Sequence, residues 1–144
     1  MPLTSDDFHV ENAGPLDVLK LNLALQYIHT QMPLNGAPII EALNREFVSI
    51  IINHEGKNEY HSNGQIYWDP GKAIVVENAA GQAIGVNSAA TILLHEAAHA
   101  IDANRAANHG KADPQYNWVN ERTAVEATAI AAEEAGEVVR ENHY

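Results

Sequence analysis

The sequence predicts a compact α+β fold, in which a small antiparallel or mixed sheet packs against a central helix and a C-terminal helix. Short runs of β-branched and aromatic residues follow one another between residues 47 and 86, which is typical of a small sheet. An apolar stretch at 88–103 and an Ala-rich stretch at 120–139 each have the length of a helix. The 144 residues are enough for one domain with a hydrophobic core.

We expect this domain to span residues 15–144, after a flexible, polar lead-in at 1–14. Pro15 and Asp17 then open a helix that reaches residue 32. Its leucines also alternate with a period of two residues, but its length and its Leu, Ala and Gln content favour a helix. This helix should bury a broad apolar face, formed by Leu16, Leu19, Leu21, Leu23, Leu25, Tyr27 and Ile28.

The middle of the chain predicts a short helix and then the strands of the sheet. Residues 33–37 form a turn, and Pro38 begins a helix that ends at residue 44. A polar link rich in turn residues is expected at 53–64. The predicted strands lie at 47–52, 65–68, 73–77 and 83–86.

The central helix carries the most informative motif, His95-Glu96-Ala97-Ala98-His99. Histidines at i and i+4 lie on one face of a helix and can bind one zinc ion. Glu96 lies beside that face, where it can accept a proton from a zinc-bound water. Ser88 is a suitable N-cap. Because the surrounding residues are mostly apolar or small, the helix should be buried, and its polar side chains then need partners.

A catalytic zinc takes three protein ligands and keeps one open position. Glu121 opens the last helix after a loop at 104–118, and we expect it to be the third ligand. Glu126 is the alternative, or a partner that orients a ligand histidine. Asp102 should support a ligand or cap the central helix. The other candidate ligands are His109 and Asp113, whereas Glu133, Glu134 and Glu137 are interpreted as solvated surface charge.

The transition state of such a reaction carries negative charge on an oxygen, which a hydrogen-bond donor would stabilise. Arg140, His143 and Tyr144 form a polar cluster at the end of the chain. Tyr116 and His109 lie in the loop between the two helices. Each of these side chains is a candidate donor to the oxyanion.

Composition excludes several classes of protein. The net charge of −11 argues against binding to nucleic acid or to an anionic membrane through bulk electrostatics. The chain has no cysteine, which rules out disulfides and cysteine-ligated zinc. Its apolar runs are too short for a membrane span. The first ten residues lack the features of a signal peptide.

Several of these residues together resemble the NleD-like effector metalloproteases. The likeness rests on His95–Ala100, on the upstream Trp68-Asp69-Pro70, on Asn120-Glu121 and on the ending Arg140–Tyr144. It covers roughly residues 23–144. The sequence differs from the family in two respects: the small pair Ala97-Ala98 follows Glu96 where a bulkier pair is typical, and His143 is directly adjacent to Tyr144.

The resemblance implies a minimal zincin fold with one zinc ion per chain and endopeptidase activity. It implies that His95, His99 and Glu121 are ligands, that Glu96 is the general base, and that Arg140 and Tyr144 flank the transition state. His143 is adjacent to Tyr144, so either of the two could face the metal. The family also implies a virulence factor or toxin domain that a bacterial secretion system delivers into a target cell, with a protein substrate and a cognate immunity or inhibitor protein.

Two other functions use the same motif. A non-catalytic interaction module could use zinc to hold two helices together, although closed sites favour cysteine ligands. A zinc hydrolase could instead cleave a non-peptide amide, such as a cell-wall bond. An exposed edge strand above the metal would favour a protease, because an extended peptide can pair with it. We expect the strand at 83–86 to lie nearest the central helix.

Overall fold

The computed structural model describes residues 2–61, 63–78 and 80–140. Within this part of the chain it contains a short 3-10 turn, Ser5–Asp7, and four helices: α1 (Pro15–Gln31), α2 (Ala37–Asn44), α3 (Ala89–Ile101) and α4 (Val119–Glu134). The strands are β1 (His9–Glu11), β2 (Ser49–Ile52), β3 (Glu59–His61), β4 (Gln65–Trp68), β5 (Ile74–Glu77), β6 (Ala83–Asn87), β7 (Ala112–Asp113) and β8 (Asn117–Trp118).

The largest sheet has four strands in the order β1-β2-β4-β3. Strands β1, β2 and β4 are parallel, with Ile50 of β2 beside Ile66 of β4, and β3 runs antiparallel to β4. Two hairpins, β5–β6 and β7–β8, form separate two-stranded sheets. The α+β class and the mixed sheet are therefore confirmed, and β3 lies at one edge of the main sheet.

Helix α3 lies at the centre of the fold, and every residue from Ala90 to Ala100 is buried. Leu93 and Leu94 have no exposed surface and belong to the core that α1, α2 and the main sheet share. Trp68 of β4 is also fully buried, and its indole N–H donates to the Ala89 carbonyl at 2.9 Å. This contact joins the main sheet to the beginning of α3, so the sheet sets the position of the central helix.

The predicted apolar face of α1 is only partly correct. Leu21, Leu25 and Ile28 are buried. Leu16, Leu19 and Leu23 are 60%, 53% and 54% exposed. The core covers the single stripe formed by residues 21, 24, 25 and 28, because these positions lie on the same face of a helix. The prediction from the sequence therefore overestimated the width of the buried face of α1.

The lead-in predicted as flexible carries ordered elements instead. Thr4 caps the 3-10 turn, and β1 pairs with β2 in parallel, with Val10 beside Ile50. Val10 and Phe8 also pack against the core. The segment is therefore attached to the main sheet by backbone hydrogen bonds and apolar contacts, which contradicts a loosely held lead-in.

Two predicted loops contain short strands. The link at 53–64 includes β3, and the loop at 104–118 includes the β7–β8 hairpin. Both were missed because their residues are mostly polar and lack the β-branched runs that predict strands.

The last helix ends at Glu134, earlier than the predicted residue 139. Gly136 has a φ of 77°. Its N–H bonds to the Glu133 carbonyl at 3.0 Å, and the Glu137 N–H bonds to the Ala132 carbonyl at 2.8 Å. This is a Schellman motif. It ends α4 and turns the following residues back across the fold.

Candidate metal centre

The motif histidines lie on α3, whose first turn is capped as predicted. Ser88 Oγ accepts a hydrogen bond from the Thr91 N–H at 3.2 Å. His95 and His99 lie one turn apart, with ring centroids 4.9 Å apart and ring planes at 84°. Both side chains are buried. The helix therefore presents two imidazoles on one face in a site largely shielded from solvent.

Glu96 completes a group of three possible donors. One ligand atom from each of His95, Glu96 and His99 lies within 4.8 Å of the others. Nitrogen and carboxylate oxygen are the donors that zinc and several other divalent ions accept. The group could therefore hold a metal ion.

Glu121, in the first turn of α4, faces both histidines. One carboxylate oxygen lies 3.2 Å from Nε2 of His95, and the other lies 2.8 Å from Nε2 of His99. The two Nε2 atoms and one carboxylate thus point at the same small volume. An ion would replace these hydrogen bonds with ligand bonds of about 2.0–2.2 Å. The set of donors fits the predicted assignment of His95, His99 and Glu121.

The loop between α3 and α4 is folded back by polar contacts near Glu121. Arg122 pairs with Asp113 of β7, with 2.5 Å between Nε and Oδ2, and its guanidinium lies 4.9 Å from the centre of the Tyr116 ring. Asn120 Nδ2 donates to the Arg105 carbonyl at 2.9 Å. These contacts flank Glu121 on both sides in the sequence, so they fix the start of α4 against the loop.

Burial sets the charge on His95, and hydrogen bonds with the two histidines set the charge on Glu121. Burial lowers the pKa of His95 to about 4, even though the hydrogen bond with Glu121 acts in the opposite direction. Burial also acts to raise the pKa of Glu121, but hydrogen bonds with His95 and His99 outweigh it and hold that pKa well below its usual value. At neutral pH, His95 is therefore neutral and Glu121 is ionised, which are the forms that bind metal.

Glu96 has a different environment from Glu121. Burial, followed by the negative charge of Glu121, raises the pKa of Glu96 well above its usual value. A backbone hydrogen bond with Tyr60 of β3 and the positive charge of Arg140 act in the opposite direction. A carboxyl group with a raised pKa holds a proton more readily, which suits a group that accepts and returns protons.

Arg140 is the member of the C-terminal polar cluster that the structure describes. It lines a pocket between α3 and α4 together with His95, Asn87 and Val125. Burial lowers its pKa, while the charges of Glu121 and Glu96 act to raise it. The structure therefore brings a cation to the metal centre. His143 and Tyr144 lie outside the described residues.

The structure does not bring the alternative ligands to this centre. Glu126 is exposed, and its carboxylate pairs with Arg122 at 3.0 Å, which contradicts a role as third ligand or as partner of a ligand histidine. His109 is exposed in the loop and is not in the group of possible ligands found among the described residues. Asp102 occupies the C-cap position of α3, and its Oδ1 accepts from the Asn104 N–H at 2.9 Å in the loop that follows the helix.

Tyr116 was a candidate donor to the oxyanion. Its side chain is buried beneath the Arg122 guanidinium. It therefore packs the loop against α4, and the contacts described for it do not include a residue of the metal centre.

Two glutamates predicted as solvated charge have internal partners. Glu137 is partly buried and bonds with Tyr27, Ser88 and Thr91. Glu134 accepts hydrogen bonds from two backbone N–H groups, those of Leu34 and Asn35. The helix stop at Gly136 was the signal that could have placed Glu137 outside α4. Glu133 is exposed, as predicted.

The strand nearest the motif was also misidentified. Strand β3 packs against α3, and the backbone of its residue Tyr60 acts to lower the pKa of Glu96. The strand predicted at 83–86 to lie nearest the central helix is β6, which belongs to a separate hairpin. The edge of the main sheet, and not that hairpin, therefore adjoins the general-base candidate.

Comparisons of the chain with protein-family models, with curated proteins and with solved structures found no match. The resemblance to the NleD-like metalloproteases therefore stays a prediction carried by the motif residues. Within the described residues, none of the helices combines the length and the apolar character that crossing a membrane requires.

Proposed function

We propose that the chain is a zinc-dependent endopeptidase. The observation that carries the proposal is the convergence of Glu121 on both motif histidines, at 3.2 Å from His95 and 2.8 Å from His99. Two imidazoles and one carboxylate are a ligand set of catalytic zinc, which keeps its fourth position for water or substrate. The acid beside them, Glu96, lies where a general base would act on a zinc-bound water.

Bound zinc would polarise the scissile carbonyl and lower the pKa of the attacking water. Glu96 takes the proton that this water loses and then gives it to the leaving amine. Burial and the negative charge of Glu121 raise the pKa of Glu96, and a carboxylate with a raised pKa is a stronger base.

Arg140 supplies positive charge on the same side of the site as His95. Negative charge develops on the carbonyl oxygen as the bond is attacked, and a guanidinium that is already in place stabilises it. Glu121 and Glu96 lie near enough to interact electrostatically with Arg140. Arg140 is therefore the proposed donor to the oxyanion.

Strand β3 supports a peptide as the substrate. It is an edge strand of the main sheet and packs against α3, with the backbone of Tyr60 near enough to Glu96 to act on its pKa. An extended peptide can pair with such an edge through backbone hydrogen bonds. Pairing there would bring the peptide backbone next to the proposed general base.

Replacement of Glu96 by glutamine tests the proposal. Glu96→Gln keeps the shape of the side chain, so the variant should bind zinc with the affinity of the parent. Cleavage of a casein or fluorogenic peptide substrate should fall by at least about 100-fold, the lower end of the usual effect of a general base. Glu126→Gln, an exposed acid on α4, is the matched control and should keep full activity. A Glu96→Gln variant as active as the parent contradicts the proposal.

The proximity of Glu96 to both histidines also suits a closed, non-catalytic site with four ligands. In that case Glu96→Gln would lose zinc, because a ligand would be missing. The zinc content of Glu96→Gln therefore distinguishes the two functions: a peptidase variant keeps the ion, and a non-catalytic module loses it. A zinc hydrolase of a cell-wall amide would use the same residues and is distinguished by its substrate alone.

The biological setting proposed here follows from the family resemblance. As a secreted bacterial effector or toxin domain, the chain would cleave a protein in a target cell and would be inhibited by a cognate immunity protein. Expression of the parent and of Glu96→Gln in the cytosol of a bacterial or eukaryotic host tests this role. Toxicity that requires Glu96 is expected, and equal growth with both proteins in every host would contradict it.

A further inference from the structure

One carboxylate ties the segment after α4 to the N-terminal end of α3. Glu137 accepts hydrogen bonds from the Tyr27 hydroxyl at 2.5 Å, from the Ser88 N–H at 3.0 Å, from Ser88 Oγ at 2.8 Å and from the Thr91 hydroxyl at 2.9 Å. Asn87 Nδ2 lies 3.4 Å from the same carboxylate. We call this set of contacts the Glu137 clamp. It joins α1, the end of β6 and the first turn of α3.

The protonation states suit the clamp. Burial, together with Glu137, raises the pKa of Tyr27 to about 12, so the phenol keeps its proton and donates it. A carboxylate at the beginning of a helix also interacts favourably with the partial positive charge of the first backbone N–H groups. The clamp is therefore a set of charge-assisted hydrogen bonds, which are stronger than neutral ones.

The clamp continues toward Arg140. Asn87 Nδ2 donates to the Val138 carbonyl at 2.9 Å. A Cβ added at Gly85 would lie 2.5 Å from a methyl group of Val138, so the glycine lets the segment pack directly on β6. The turn at Gly136 sets the direction in which the chain leaves α4. Residues 137 and 138, which lie three and two positions before Arg140, are thus held in place by contacts with α1, β6 and α3.

Arg140 shares a pocket with His95, and Asn87 of the clamp lines the same pocket. We propose that Glu137 is a positioning residue, which holds Arg140 beside the metal centre before substrate binds. A cation placed in advance does not have to be ordered during the reaction. This inference rests on the proposed function, because it gives Arg140 its role in peptide cleavage.

Glu134 provides a matched comparison. It lies on the same part of the chain and also accepts strong hydrogen bonds, at 2.8 Å from the Leu34 N–H and at 2.8 Å from the Asn35 N–H. Its partners belong to the turn before α2 and not to α3. Loss of either glutamate should lower stability, but only loss of Glu137 should release Arg140.

Chemical modification of arginine tests whether Glu137 positions Arg140, and it needs no enzymatic assay. The zinc-loaded protein is treated with phenylglyoxal, and mass spectrometry follows the modification of Arg140 relative to the exposed Arg45. Glu137→Gln should raise the relative rate at Arg140 several-fold, whereas Glu134→Gln should leave it unchanged. Tyr27→Phe removes a single hydrogen bond of the clamp and should give a smaller rise, so it keeps the test valid if Glu137→Gln does not fold. Equal rates at Arg140 in the parent and in the folded clamp variants overturn the inference.

Kinetics provide the second measurement. Glu137→Gln should lower kcat more than it changes KM, and combining it with Arg140→Ala should add no further loss, because both changes remove the same cation from the site. Fully additive losses would mean that Glu137 acts on stability alone and would overturn the inference. If the zinc-loaded parent cleaves no peptide, the proposed function fails, and the rates of modification at Arg140 still decide whether the clamp positions it.

Discussion

The carboxylate of Glu121 lies 2.8 Å from Nε2 of His99, so the first turn of α4 faces the candidate metal centre on α3. The two residues are far apart in the sequence and meet through the packing of the two helices. Nε2 of His95 lies 3.2 Å from the other oxygen of the same carboxylate.

Glu121→Ala should lower zinc affinity by at least about 100-fold. The loss of a residue that merely orients a ligand lowers affinity by about 10–100-fold, and a ligand itself should matter at least as much. Competition with a chromophoric chelator measures the affinity. Glu126→Ala, which removes an exposed acid from the same helix, should bind zinc like the parent. The assignment fails if the two variants bind equally well.

Removal of the metal should lower the thermal midpoint of unfolding. An ion that binds only the folded state stabilises it by about 2.7 kcal/mol when the free ion is at about 100 times its Kd. Thermal scans with and without EDTA measure the effect, and Glu121→Ala should respond little to EDTA. A parent whose midpoint is the same after complete removal of the metal would contradict a site that joins α3 to α4.

Leu93→Ala should destabilise the protein by about 2–5 kcal/mol, because it opens a cavity in the core. Leu93 has no exposed surface. Leu19 is 53% exposed on α1, so Leu19→Ala should change the free energy of unfolding by no more than about 0.5 kcal/mol. Urea denaturation of both variants is the measurement. Similar losses from the two variants would mean that α1 presents a different face to the core.

Stability should depend on pH through the contact between His54 and Asp17, whose Nε2 and Oδ1 atoms are 2.8 Å apart. The hydrogen bond with His54 lowers the pKa of Asp17 below 3.8, and the hydrogen bond with Asp17 raises the pKa of His54 above 6.5. The contribution of Asp17 is present above pH 3.8 and is lost as pH falls through its lowered pKa. That of His54 is present below pH 6.5 and is lost as pH rises through its raised pKa.

The difference in the free energy of unfolding between the parent and His54→Ala should therefore be largest between pH 3.8 and pH 6.5. It should shrink toward both higher and lower pH. His29→Ala, at an exposed histidine of α1, is the control and should show no such maximum. A difference that is constant from pH 3 to pH 9 would rule out the ion pair as its source.

Local signals in the sequence were sufficient for part of the fold and of the site. Ser88 and the spacing of His95 and His99 identify α3 and its candidate metal-binding face, because capping and helical period are properties of a few neighbouring residues. Strand β4 was predicted with its observed bounds, since Asp69-Pro70 ends it sharply.

Features that depend on packing between distant elements were not predictable. Glu121 and Glu126 both lie on α4, and only the way α4 packs on α3 decides which of them faces the histidines. Apolar residues surround much of α1, so the sequence pattern did not single out the stripe that faces the core. The partners of Glu137 come from α1, β6 and α3, and its interpretation as surface charge failed for this reason.

X-ray diffraction from crystals of the zinc-loaded protein at the zinc absorption edge locates the metal directly. One anomalous peak per chain is expected, about 2.0–2.2 Å from Nε2 of His95, Nε2 of His99 and a carboxylate oxygen of Glu121. Glu96 should lie beside the ion without binding it. No peak at this position, or a peak with Glu96 as the carboxylate ligand in place of Glu121, would contradict this assignment of the ligands.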